Sequence, residues 1–310
     1  MSFADSLRLT WHPRLLQAAF KKGISTTKLL SRKSGVVSSV SGSGFDVYCA
    51  NPKDPAQYFA FEADRFASAS FESLLSVPSS DDFPKSVGWL LIRYYYAAFF
   101  SAHSLLRLRG VACARVMQDA LSSVNDEASS IHGLAPGYFG GGLYTIELDS
   151  NSRSLSCSRL QAGSSSHEVL WDVFGRHLDW MVNRVGSHQD PEHQELLVAV
   201  SDFQDVVQKF GGIRWFTRLR NEVNYSHAKG AWFPYDGGTV DAARIGRVMS
   251  GWSDGSPVLG VTGDEVIQFA YACRLLVSMC GVTVKDFSRR AVSNSPFRRS
   301  SHLLLARVRG

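Results

Sequence analysis

Residues 218–230 read RLRNEVNYSHAKG. An arginine, Arg220, stands seven positions before a histidine, His227, with Asn221 and Asn224 between them. On a continuous helix, seven residues turn through about 700°, so Arg220 and His227 would lie about 20° apart around the axis and about 10.5 Å apart along it. Asn224 falls at i+4 from Arg220 and i−3 from His227, on the same face. Two side chains of this length can converge on one phosphate.

Those residue types suit chemistry on RNA. A neutral imidazole, with an ordinary pKa of about 6.5, can take the proton of a ribose 2′-OH at physiological pH. The freed oxygen attacks the adjacent phosphorus, and an arginine stabilises the added negative charge without a metal. The products are a 2′,3′-cyclic phosphate and a 5′-OH end. DNA lacks the 2′-OH and is spared by this route. The spacing alone is not specific, since such a pair is expected about once by chance in a chain this size. The competing reading is a solvated helix end, with Arg220 paired to a nearby acid and His227 at the C-terminal dipole.

The pair needs a scaffold. The chain has 310 residues, 45% hydrophobic and 20% charged, enough for a sizeable core in one large or two small domains. Its five cysteines form no CxxC, so neither a disulfide framework nor a zinc site is indicated, which fits a reducing, cytoplasmic setting. The first twenty residues lack the continuous apolar stretch of a secretory signal. The stretch 87–106 has the length of a membrane span, but Arg93 and His103 lie within it, so a buried helix of a soluble bundle is expected and no membrane association. No metal or other cofactor is expected.

From residue 51 the pattern is helical. Asp54-Pro55 reads as a helix start, carrying Tyr58, Phe59, Phe66 and Phe71 and stopping before Pro78. Ser79–Asp82 and Pro84 open a second helix that ends at Gly110. This one is apolar on most faces and should be the central helix. A shorter helix is expected from Ala114 to about Ser130. Residues 132–166 break the pattern, and LYTIELD alternates with strand period. They are read as a β-hairpin inserted into the bundle and projecting from it. Further helices are expected over His167 to about Val185, from Asp190-Pro191 to Phe210, and from Ile213 to about Ala228. Residues 230–261 read as loop. Thr262 to Glu265 reads as a capping box before a helix stopped by Gly281.

The stretch RNEVNYSH (220–227) resembles the arginine–polar–spacer–histidine motif of the HEPN family, and RYYYAAFFSAHSLLRLRG (93–110) resembles the aromatic, alanine-rich core helix of its bundles. The resemblance covers roughly 51–284. It implies an all-α or mainly α, HEPN-like helical bundle with the inserted hairpin and irregular basic termini: a 1–50 basic N-terminal segment, a 51–284 helical domain, and a 285–310 basic C-terminal tail. It implies a homodimer in which two motifs face each other as a composite, metal-independent endoribonuclease site. Arg220 would stabilise the phosphate, His227 would be the base, and Asn221 and Asn224 would orient them. The setting implied is a bacterial toxin or phage-defence effector, with RNA as substrate and a protein partner or antitoxin. One branch carries a modified tyrosine two residues after the histidine; here that position is Lys229. Some members are inactive, so a non-catalytic RNA- or protein-binding module is the second reading. An adaptor docking a partner through the hairpin is the third.

Other patterns carry less. Gly251–Gly255 matches GxSxG but lacks the preceding strand of a nucleophile elbow. His188 and His193 flank Asp190 and Glu192, but Pro191 breaks their common face. GYFGGG (137–142) lacks a phosphate-loop lysine and reads as a hinge. Arg93 and Tyr94–Tyr96 could border a base-binding cleft or pack the core. His103 reads as a hydrogen-bonded core histidine. Trp232, Phe233 and Tyr235 could stack on RNA or line a dimer seam. The charge is uneven. Residues 1–45 and 285–310 each hold seven basic side chains and one acid, while the body is acidic. Basic ends attract polyanions at low salt; they are equally read as solubilising termini.

Overall fold

The computed structural model describes residues 3–20, 25–31, 35–75, 87–160, 165–188, 190–233, 242–254 and 259–309. Helices α1 (Phe3–Arg8) and α2 (Thr26–Leu30) precede a hairpin of β1 (Gly35–Ser41) and β2 (Gly44–Cys49). Two long helices follow, α3 (Lys53–Leu74) and α4 (Val87–Arg109), then β3 (Val111–Val116), α5 (Ser122–His132), β4 (Gly142–Leu148) and β5 (Ser154–Arg159). The remainder is helical: α6 (Ser166–Gly186), α7 (Gln194–Lys209), α8 (Trp215–Tyr225), α9 (Ala242–Ser250), α10 (Glu265–Arg290), α11 (Pro296–Arg299) and α12 (Ser301–Arg309). The fold is mainly helical, as expected, with a five-stranded antiparallel sheet beside the helices.

Helix α4 is the centre of the helical part. It packs on α3, α10, α8 and α6. Small residues let α3 and α4 approach closely: Ala60, Ala63 and Ala67 on one, and Ala97, Ala98 and Ser101 on the other, are fully buried. Ser70 Oγ donates to the Ala97 carbonyl at 2.8 Å, and Ser104 Oγ to that of Ala63 at 2.8 Å. These bonds satisfy hydroxyls that would otherwise be costly to bury. Gly110 ends α4 with φ +91°, a conformation in which a side chain would be strained. The expected start of this helix, Ser79–Asp82 and Pro84, lies outside the described residues, as does Pro78.

The hairpin of 132–166 does not project. Its strands are inner strands of a sheet ordered β1-β2-β5-β4-β3. Val47 of the N-terminal segment faces Leu155, and Ala112 faces Ile146. A lone hairpin leaves both edges unpaired; here β2 and β3 cover them. The helix expected from Ala114 is therefore β3, with α5 beginning only at Ser122. Pairing with β4 outweighs a helical spacing too short to hold by itself. GYFGGG is pinned rather than hinge-like. Phe139 is buried and exchanges two hydrogen bonds with the Asn125 side chain, 2.8 and 3.0 Å.

Among their described residues the basic ends carry regular structure too. Arg8 binds Asp286 through two bonds, 2.6 and 2.8 Å, tying α1 to α10. Arg298 Nε donates to the Ser288 carbonyl at 2.7 Å. The expected C-terminal tail is α10's last turns plus α11 and α12, with Phe297 and Leu305 in the core. Gly281 does not stop α10. It is a buried helical position where Trp252 and Leu305 pack close, and the helix runs on to Arg290. Its cap is Asp264, which accepts from Val266 N and Ile267 N, rather than a Thr262 box. The loop expected over 230–261 contains α9. One described helix, Glu265–Arg290, is long and apolar enough to cross a membrane, and most of it is buried within the fold.

Candidate active site

Helix α8 presents its apolar side inward. Trp215, Leu219 and Val223, at i, i+4 and i+8, are buried with Phe216. Trp215 Nε1 also donates to Glu265 Oε1 at 2.9 Å, fixing α8 against the start of α10. The outer side carries the charged sequence. Arg218 pairs with Glu222 at 2.9 Å and Glu265 at 3.0 Å, and Lys229 pairs with Glu265 at 2.7 Å and Glu222 at 3.4 Å. Burial opposes ionisation of Glu265, but Lys229, Trp215 and Arg218 outweigh it and hold its carboxyl below the usual range.

Arg220, two residues from Arg218, has a different environment. Its guanidinium donates to Asn221 Oδ1 at 2.9 Å, Tyr225 Oη at 3.2 Å and Tyr96 Oη at 2.9 Å. It lies over the Tyr96 and Tyr225 rings, 5.8 and 5.2 Å from their centroids. All these partners are neutral. Among the described residues no carboxylate pairs with Arg220, and its buried Nε has no acceptor. The two carboxylates of this region, Glu222 and Glu265, pair with Arg218 and Lys229 instead. The result is a held, uncompensated positive charge at the surface.

His227 departs from the expected geometry. The helix stops at Tyr225, with Ser226 as its cap, so the motif is not one continuous helical face. His227 takes φ 49°, ψ 28° and Lys229 φ 68°, both left-handed and both without glycine's freedom. The Lys229 ion pairs hold this turn. The exposed His227 ring lies 5.9 Å from that of Trp232, and among the described residues no hydrogen bond joins it to Arg220, Asn221 or Asn224. Trp232 is fixed in turn by Nε1 donating to the Val223 carbonyl and by Gly88, where a Cβ would lie 2.4 Å from the indole. Of the four residues read from the sequence, the fold joins Arg220 to Asn221. It leaves Asn224 half-buried on α8 without a described hydrogen bond, and turns His227 outward.

Residues from outside the motif complete the surroundings of Arg220. Tyr96 comes from α4. His167, at the start of α6, stacks on Phe99 at 4.5 Å and meets Tyr96 edge-on at 6.0 Å. Tyr95 Oη lies 2.7 Å from His167 Nδ1 and accepts from Trp171 Nε1 at 3.2 Å. Burial pushes the Tyr95 hydroxyl up to about 12. Burial and the Arg220 charge pull His167 below the usual histidine range. A search for an arginine preceding a histidine along the chain cannot find His167, because its arginine comes from another helix. Tyr96 was visible as one of three tyrosines; only the fold separates it from buried Tyr94 and Tyr95.

The other motifs resolve into structure. Arg93 donates to the Ser73 and Leu75 carbonyls, so it caps the end of α3. His103 is buried and bonded to Arg107 Nη1 at 2.9 Å. Ser253 follows α9 rather than a strand, which removes the nucleophile elbow; Gly255 lies outside the described residues. His193 Nδ1 is 2.8 Å from Ser6 Oγ, and His188 Nδ1 is 2.9 Å from the Arg184 carbonyl. Trp232 packs edge-on against Trp89 at 5.5 Å, and Phe233 is exposed; Tyr235 lies outside the described residues.

The chain is thus a mainly helical protein with an antiparallel sheet and an arginine-centred, aromatic-rimmed surface site. No family model matches the chain, and comparison with curated proteins and with solved structures gives no significant match.

Proposed function

We propose that the protein is a metal-independent endoribonuclease of HEPN type, in which Arg220 holds the scissile phosphate and His227 moves the proton. The observation that carries this reading is the contrast between two arginines two residues apart. Arg218 is neutralised by two carboxylates, whereas Arg220 is gripped only by neutral oxygens. An arginine held this way keeps its full charge for an incoming anion. In the reaction, His227 takes the 2′-OH proton, the 2′-oxygen bonds to phosphorus, and the P–O5′ bond breaks. The 5′-oxygen leaves with a proton drawn from water, giving a 2′,3′-cyclic phosphate and a 5′-OH, and the protonated His227 then returns its own proton to solvent.

Within one chain, among the described residues, no hydrogen bond joins His227 to Arg220, which supports a composite site made by two copies. The test mixes Arg220→Ala chains with His227→Ala chains. If the working pair spans the two chains, the mixed dimer regains cleavage that neither variant has alone. If the pair works within one chain, the mixture stays inactive. A toxin or defence role, with an antitoxin partner, rests on the HEPN resemblance.

The second reading is a binding module without catalysis. The exposed, left-handed turn that takes His227 off the helix is the observation that favours it. RNA binding that depends on Arg220, with no cleavage at any enzyme concentration, would select it.

A further inference from the structure

The oxygen of Tyr95 receives the Trp171 indole N–H, which can only donate. The Thr217 hydroxyl also lies near this oxygen, but among the described residues its own oxygen has no hydrogen-bond partner; the Tyr95 proton therefore goes to His167 Nδ1 at 2.7 Å. This accounting leaves His167 neutral, with its proton on Nε2, and among the described residues Nε2 has no hydrogen-bond partner. The ring is half-buried, clamped between Phe99 and the edge of Tyr96, and Tyr96 is the residue whose hydroxyl holds Arg220. The helix that carries His167 is itself fixed by a Ser165–Glu168 capping box. An ionised imidazole here would face the Arg220 charge, so the site selects a neutral N–H.

We propose that His167 Nε2–H and the Arg220 guanidinium together form the phosphate-binding pocket, with His167 a neutral hydrogen-bond donor to a non-bridging phosphate oxygen. The proposal rests on the ribonuclease reading for its substrate, but not for its geometry. A neutral donor beside a cation fits a phosphodiester, which carries one negative charge shared by two non-bridging oxygens. It also separates two tasks: His227 transfers protons, and His167 does not.

The test uses the full-length protein with two single-stranded probes of one sequence. One is a fully 2′-O-methylated RNA that cannot be cleaved; the other is unmodified RNA in excess EDTA. His167→Phe keeps the stacking on Phe99 and removes the donor, and His167→Gln restores an N–H. Thermal melting of each variant checks the fold. The expected result is a roughly tenfold loss of affinity for the methylated probe in His167→Phe, largely recovered in His167→Gln. Cleavage of the unmodified RNA should fall by at least as much and recover likewise. Wild-type affinity in His167→Phe, or equal loss in Phe and Gln variants that melt normally, overturns the proposal. Donor-dependent binding by a protein that cuts no RNA would keep the pocket and overturn the nuclease reading. Failure of the wild type to bind the methylated probe at all overturns the pocket, whether or not RNA is cut.

Discussion

Arg220 Nη2 donates to Tyr96 Oη at 2.9 Å across 124 residues of sequence, so helices α8 and α4 share the positioning of one guanidinium. Tyr225 holds the same group from within α8. Neither hydroxyl cancels the charge, and both fix its direction. Tyr96→Phe and Tyr225→Phe should therefore each lower the rate of RNA cleavage by roughly ten- to a hundredfold, because a bond to a charged donor contributes roughly 1.5–3 kcal/mol. Tyr225 is 69% exposed, so its variant should melt with the wild type. Arg220→Lys should not restore activity, since an ammonium cannot reproduce the planar fork. Single-turnover cleavage and thermal melting together read these outcomes.

The turn at 226–230, with His227 and Lys229 in left-handed backbone, is tied down by the Lys229–Glu265 ion pair. Lys229→Met and Glu265→Gln should each cost activity through the position of His227. A double-mutant cycle on stability should return a coupling of about 1 kcal/mol, the upper end for a partly exposed pair. The Glu265 carboxyl is held below its ordinary range, so its contribution to stability is present at neutral pH. That contribution is lost as pH falls through the folded-state value. Glu265→Gln should remove that part of the acid destabilisation, as followed by denaturant melts between pH 7 and 3.

His177 is buried beside Trp180, and burial, helped by the nearby Arg109 charge, lowers it to about 3. Unfolding frees this ring to bind a proton below about pH 6.5. Between those two values the unfolded state holds more protons, so stability should fall as pH drops from about 6.5. His177→Phe should flatten this window in pH-dependent unfolding. An unchanged pH slope would mean that His177 is protonated or reached by water in the fold.

Phe297 is fully buried against Phe287, 4.7 Å between rings, and Leu305 follows it into the core. Phe297→Ala should cost about 3–5 kcal/mol, as for other large core aromatics. Removing residues 291–310 should lower the melting temperature sharply. A mobile tail would show neither effect.

The sequence disclosed helices better than their company. The helical character of α4 and its stop at Gly110 were legible, because a long apolar run and a C-terminal glycine are local signals. β3 was not, since VACARV becomes a strand only by pairing with β4, 30 residues on. The same limit applies to the site. Arg220 and Asn221 stand out by type and spacing, and they do meet. The break at Ser226 that turns His227 off the helix left no proline or glycine to announce it. Tyr96, His167 and Glu265 reach the site from α4, α6 and α10, and no spacing along the chain encodes that convergence.

The central claim is that Arg220 and His227 cut RNA without a metal. The direct measurement incubates single-stranded RNA with the protein in excess EDTA and compares wild type with His227→Ala and Arg220→Ala. Cleavage by the wild type should leave 2′,3′-cyclic phosphate and 5′-OH ends, and each variant should lose about 10²-fold or more in rate. Cleavage by His227→Ala at the wild-type rate, or products with 5′-phosphate ends, would contradict it.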